Sequence, residues 1–113
     1  MTTLYTRTLN FKDSLSDGEV LEQWQYIMDE VIPAIRNING TQSVKIYSGA
    51  GALRADITLH WEMDDASVYE RALLDPELRK HFGKVYGAWD MKTAGQSFRR
   101  EVTADLIKAL SST

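Results

Sequence analysis

The strongest constraint on the fold is one amphipathic run. From Val20 to Ile35 the apolar residues Val20, Leu21, Trp24, Ile27, Met28, Val31, Ile32 and Ile35 recur at helical spacing, which commits this stretch to a helix with one buried face. Ser16 and Glu19 stand three residues apart just ahead of it, the spacing of a capping box that satisfies two free N–H groups reciprocally. Pro33 lies inside the run and is expected to kink it, because its ring would displace the carbonyl of Asp29. "NING" ends it, with Gly40 able to take the left-handed cap.

On either side of that helix the period changes to two. In "LYTRTLNF" (4–11), Tyr5, Arg7, Leu9 and Phe11 fall on one face and Leu4, Thr6, Thr8 and Asn10 on the other, which predicts a strand. "SVKIYS" (43–48) and "LRADITLHWE" (53–62) predict two more, joined at "GAGA", where glycine supplies the positive φ of a tight turn. Asp64 or Asp65 is expected to cap a helix through Leu74. Pro76 then opens a second helical segment, where its missing N–H costs nothing. Leu78, Phe82, Val85, Tyr86 and Trp89 are expected to line the buried face of that segment. "QSFRREVT" (96–103) reads as a fourth strand and "ADLIKAL" as a short tail helix.

The order β-α-β-β-α-β predicts an α+β domain spanning 1–113: a four-stranded antiparallel sheet with its helices on one face. On strand 53–62 the helix-facing set is then Ala55, Ile57, Leu59 and Trp61. The opposite face carries Arg54, Asp56, Thr58, His60 and Glu62, with His60 near Asp56 or Glu62. That polar face can pair with a second sheet.

Composition excludes several classes. Lys plus Arg number 13 against 16 Asp plus Glu, a net charge of −3, and the basic residues are scattered, so a nucleic-acid surface is not expected. There is no Cys, which removes disulfides, thiolate nucleophiles and Cys-ligated metals. His60 and His81 are too far apart in sequence for a helical metal pair, and no metal is expected. The start "MTTLYTRTLNF" has no apolar core of a leader, and no apolar run is long enough to span a membrane, so a cytoplasmic location and no membrane partner are expected.

With the elements placed, the chain resembles the dimeric α/β-barrel superfamily, whose branches include antibiotic-biosynthesis monooxygenase-like and NIPSNAP-like domains. The resemblance covers about residues 4–103. It rests on element order, on "NINGTQSVKIYS", on "ITLHWEMDDASVYERAL" and on "LLDPELRKHF". It implies a ferredoxin-like βαββαβ fold with a short C-terminal helix, two sheets packed face to face as a homodimer forming the barrel, and a small-molecule pocket between each sheet and its own helices. In the cofactor-independent monooxygenases of this superfamily a Trp at the matching strand end lines the cavity for a polycyclic phenol. The resemblance therefore puts Trp61 in a substrate pocket, with Tyr69, Trp24, Met28 and Tyr5 around it. Arg7 and His81 are the candidates for stabilising an anion or moving a proton.

Heme-degrading members carry a His on the second helix, an Asn on the first strand and a helix Trp. Asn10 matches the Asn. No Trp occupies the first part of the second helix here, however, and His81 is one position out of register, so heme is disfavoured and no cofactor is expected. The implied function is a cofactor-independent monooxygenase-like enzyme acting on an aromatic or polyketide-type substrate. Two alternatives stay open: a non-catalytic dimeric carrier of a hydrophobic metabolite, and a structural dimer whose pocket is filled by its own aromatic side chains.

Overall fold

The computed structural model describes residues 2–49 and 53–112, so the turn expected at 49–52 lies outside the described residues apart from Gly49. The elements are β1 (Thr3–Leu9), α1 (Asp17–Tyr26), a π-helical turn (Ile27–Val31), α2 (Ile32–Arg36), β2 (Thr41–Tyr47), β3 (Ile57–Met63), α3 (Ser67–Leu74), α4 (Pro76–Tyr86), β4 (Gly95–Arg100) and α5 (Ala104–Ser111). The strands form one sheet in the order β2-β3-β1-β4, and every neighbouring pair is antiparallel. This is the expected ferredoxin-like arrangement with a C-terminal helix. The sheet of a single chain is open at β2 and β4, so it closes no barrel on its own.

The alternation read from the sequence sets the two faces. Ile57, Leu59, Trp61 and Met63 of β3 and Tyr5 and Leu9 of β1 are buried in the same cluster as Val20, Ile27, Ile32, Ile35, Val68, Leu78 and Val85 from the helices. Thr6, Thr58, His60 and Lys45 lie on the opposite, uncovered face, where His60 pairs across the sheet with both Thr6 and Lys45. The neighbour of His60 differs from the expectation. The ring of Tyr47 meets it edge-on at 5.2 Å, while Glu62 is engaged by the Ser43 hydroxyl at 2.9 Å.

Three local features depart from the sequence reading, each for a physical reason. The first helix does not simply kink at Pro33. The ladder widens one turn earlier into the π segment, where the Ile32 N–H reaches back to the Ile27 carbonyl, and Pro33 falls in the first turn of α2, where no N–H is required. The third strand begins at Ile57, not at Leu53. Asp56 takes φ 54°, its N–H donates to Asn10 Oδ1 at 2.8 Å, and the Arg54 carbonyl accepts from the Phe11 N–H at 2.8 Å. The Arg54 carbonyl and the Asp56 N–H are thus used against the segment after β1, while the Ala55 carbonyl accepts from the Gly49 N–H, and Arg54, Ala55 and Asp56 lie outside β3. The last strand ends at Arg100, short of the expected Thr103.

The caps follow the sequence closely. Ser16 and Glu19 form the reciprocal capping box at 3.1 and 2.9 Å. The expected Asp64 or Asp65 cap of α3 is the exception: the N-cap is Ala66, with no side-chain cap. Asp65 instead accepts from the Ser67 N–H at 2.9 Å in a turn just ahead of it, where the Ser67 hydrogen bonds hold its carboxyl below the usual range. Asp75 accepts from the Leu78 N–H at 3.0 Å, with Pro76 opening α4. Gly40 has φ 97°.

Candidate functional site

An aromatic cluster with a small cavity occupies the space between the inner face of β1 and β3 and the helices α3 and α4. Tyr5 and Arg7 stand two apart on β1, so both point inward, and the antiparallel register sets them opposite Trp61 and Leu59. Tyr69 of α3 stacks on Tyr5 at 4.7 Å between ring centroids, and Trp61 meets Tyr5 edge-on at 6.0 Å. From α4 come Phe82 and Tyr86, four residues apart and stacked at 5.9 Å. Trp89 completes the wall. It is held in place by an antiparallel bridge to Phe11, made of two backbone hydrogen bonds: the Lys12 N–H donates to the Ala88 carbonyl and the Asp90 N–H to the Asn10 carbonyl. The cavity bounded by these eight side chains is about 20 Å³, room for about one water.

The polar groups are arranged at one end. The Tyr5 hydroxyl donates to Gln96 Oε1 at 2.9 Å and Arg7 Nη1 donates to the same oxygen at 3.2 Å. Burial pushes the Tyr5 phenol well above its ordinary value, with Tyr69 beside it adding to the effect. Burial also raises Tyr86, partly offset by the nearby Arg7 charge. Both phenols therefore stay protonated at neutral pH and act as donors. The Trp61 indole donates to Thr41 Oγ1 at 3.0 Å. No Asp, Glu or His is among the lining residues.

Of the residues singled out in the sequence, Tyr5, Arg7, Trp61 and Tyr69 come together here. Trp24, Met28 and His81 do not. Trp24 packs edge-on against Phe11 at 5.8 Å and donates to the Leu53 carbonyl at 2.7 Å. Met28 is 50% exposed and lies with Ile32, Arg36, Val44, Lys45, Ile46 and Tyr47 on an open groove of about 270 Å³. His81 is buried on the α4 stripe that carries Leu78 and Val85. Its Nδ1 is 2.5 Å from the Tyr26 hydroxyl, and its Nε2 is 3.8 Å from Glu77. Burial raises the Tyr26 phenol, and Glu30 adds to this. The cavity takes the next stripe round the helix, that of Phe82 and Tyr86. Asn10 spends its amide on the Asp56 N–H and on Thr93 Oγ1 at 3.1 Å.

Sequence reasoning missed Gln96 and Phe98 as parts of the cluster. β4 sets them opposite Arg7 and Tyr5, and Phe98 packs on Tyr5 at 5.0 Å and on Tyr69 at 5.1 Å. The only signal available was the two-residue spacing on a strand of unknown register. Phe82, Tyr86 and Trp89 were read as the buried face of their helix but not as cavity walls. Among the described residues no group of three or more His, Cys, Asp or Glu is disposed to hold a metal, and no helix is long and apolar enough to cross a membrane.

No family model matches the sequence, and no curated protein does either. Solved structures do match. A dimeric protein of unknown function with a ferredoxin-like fold from Bacteroides fragilis superposes with a TM-score of 0.73 at 14% identity, over 88% of this chain and 96% of that one. A variant of SnoaB, a cofactor-independent oxygenase from Streptomyces nogalater, gives 0.72 at 9% identity over 91% and 95%. An uncharacterised NIPSNAP domain protein from Burkholderia xenovorans gives 0.64 at 16% identity over 90% and 96%. These are neighbours of the kind that the sequence resemblance implies. The chain has a ferredoxin-like fold.

Proposed function

We propose that the protein is a homodimer, joined through the uncovered sheet faces, that takes a small aromatic molecule into the cavity at Tyr5, Arg7, Trp61 and Tyr69 and oxidises it with dioxygen, without metal or flavin. The observation that carries this reading is the composition of the cavity: aromatic walls for a planar ring, with one permanent cation and protonated phenols at its polar end. The likeness in fold to a cofactor-independent oxygenase and to a dimeric ferredoxin-like protein supports it. In such a reaction the substrate's own anion supplies the electrons. The protein contributes orientation, exclusion of water and a fixed positive charge. Arg7 holds the developing anion. Because no carboxylate or imidazole lines the cavity, the substrate enters already ionised or loses its proton to water. His81, bonded to Tyr26, sets the position of α4 and so of the walls formed by Phe82 and Tyr86. Ligand entry requires ring motion in the cavity wall, of which Tyr86 is 40% exposed.

A second reading is favoured by the cavity's size. At about 20 Å³ the aromatic side chains nearly fill the space, as in a structural dimer with no ligand. Dioxygen uptake with anthrone, the keto tautomer of a polycyclic phenol, separates the readings. Uptake that falls at least about 10²-fold in Arg7→Gln, with the fold retained, is the expected result. Binding of the phenol without uptake makes the protein a carrier. Neither binding nor uptake leaves the filled core.

A further inference from the structure

The three tryptophans differ in one respect that the proposed activity does not use. The indoles of Trp24 and Trp61 each donate to a protein acceptor, at 2.7 and 3.0 Å. The indole N–H of Trp89 is buried and donates to none among the described residues, although the residue is only 6% exposed and lines the cavity. A buried donor left unpaired bears the loss of its hydration with nothing in return. Gln96 Oε1 already accepts from both Tyr5 and Arg7, and Arg7, which lines the same cavity as Trp89, has further guanidinium N–H groups beyond the one that this bond uses. The cavity therefore holds donors in surplus, and no carboxylate, amide or imidazole among its lining residues offers an acceptor.

We infer that the ligand is recognised through an oxyanion, with Trp89 as the residue that fixes this specificity: its indole N–H and the Arg7 guanidinium share one anionic oxygen of a planar aromatic molecule, a phenolate, enolate or carboxylate. The inference rests on the reading of this cavity as a ligand site. An aromatic ammonium is disfavoured, because it would set a like charge against the Arg7 guanidinium.

Three probes sharing one ring system test it: 2-naphthoate, 2-methylnaphthalene and 2-naphthylmethylammonium, titrated by calorimetry into the intact protein and into Trp89→Phe. The wild type should prefer the carboxylate to the hydrocarbon by about 10-fold or more and bind the ammonium weakest, since a hydrogen bond to a charged group is worth that ratio. Trp89→Phe should reduce the carboxylate-to-hydrocarbon preference about 10-fold, a ratio in which the loss of wall area common to both ligands cancels. A second readout needs no variant to fold. In a proton–nitrogen correlation spectrum of the wild type, naphthoate should shift the Trp89 indole signal downfield and leave those of Trp24 and Trp61 in place, and methylnaphthalene should not. An unchanged preference in the variant, equal affinities for acid and hydrocarbon, or no selective movement of the Trp89 signal overturns the role of Trp89 but leaves the cavity a binding site. If none of the three probes binds, the ligand-site reading falls and this inference with it.

Discussion

Tyr5 illustrates how much of this protein is decided at single positions. Its ring is enclosed by Trp61, Tyr69 and Phe98, and its phenol ionises well above the ordinary 10.0, chiefly because burial penalises the phenolate. The folded value is above the unfolded one, so this contribution to stability is fully present below pH about 10. It is lost as pH rises beyond that, because the unfolded chain releases the proton first. Wild-type stability should thus fall between pH 10 and 11 more steeply than that of Tyr5→Phe. The difference should approach about 1.4 kcal/mol per pH unit, measured by urea denaturation at pH 8, 10 and 11. Identical slopes for the two proteins would contradict the assigned cause. At this scale the sequence told much about β residues and less about helical ones. Alternation alone turned Tyr5, Arg7 and Trp61 to the same side. On α4 the apolar face is wide enough to contain two stripes, and only the packing of neighbours decides that Phe82 and Tyr86 meet the cavity while His81 meets Tyr26. Gln96 reaches Tyr5 across 91 positions, a distance over which no local pattern carries register.

At the scale of elements, the caps show local chemistry prevailing and the π turn shows where it yields. Gly40 is required twice over. Its φ of 97° is a left-handed conformation, and a Cβ there would stand 2.6 Å from Val68 Cγ2 at the start of α3. Gly40→Ala should cost roughly 2 kcal/mol or more, combining the left-handed penalty with the clash. Gly83, in the middle of α4, has open space where a Cβ would go, so Gly83→Ala should stabilise by about 0.5–1 kcal/mol. Urea midpoints of the two variants, moving in opposite directions, check the pair. Gly83 is readable in the sequence as a helix interior, and Gly40 as a left-handed position, though it serves the turn into β2 and not the helix cap, which falls at Asn37. The π turn is not, because the residues from Ile27 to Val31 carry the same apolar spacing as the α-helix before them, and the extra residue in the turn appears only once Pro33 must be fitted downstream. The late start of β3 was hidden for a related reason: Asp56 continues the alternation of the strand, but its N–H is taken by Asn10 from another element.

For the whole molecule, the order βαββαβ was enough to predict the layers and the strand topology, since few arrangements of six such elements bury all the apolar faces. The extent of the tail was not. α5 buries no residue, and the radius of gyration of 16.0 Å exceeds the roughly 13 Å of a compact chain of similar length. The uncovered sheet face is the surface on which the proposed dimer depends, and Thr6 lies at its middle, paired with His60 on one side and Ser97 on the other. Thr6→Arg would set like charges against each other across a two-fold axis without touching the helix-facing core, so it should dissociate the dimer and leave the circular dichroism of the fold unchanged. The most direct test of the account is native mass spectrometry of the wild-type protein and Thr6→Arg at the same micromolar concentration. A dimer joined through this face gives a wild-type species of twice 12.8 kDa and a Thr6→Arg species of about 12.8 kDa. A wild-type protein that flies as a folded monomer would contradict it.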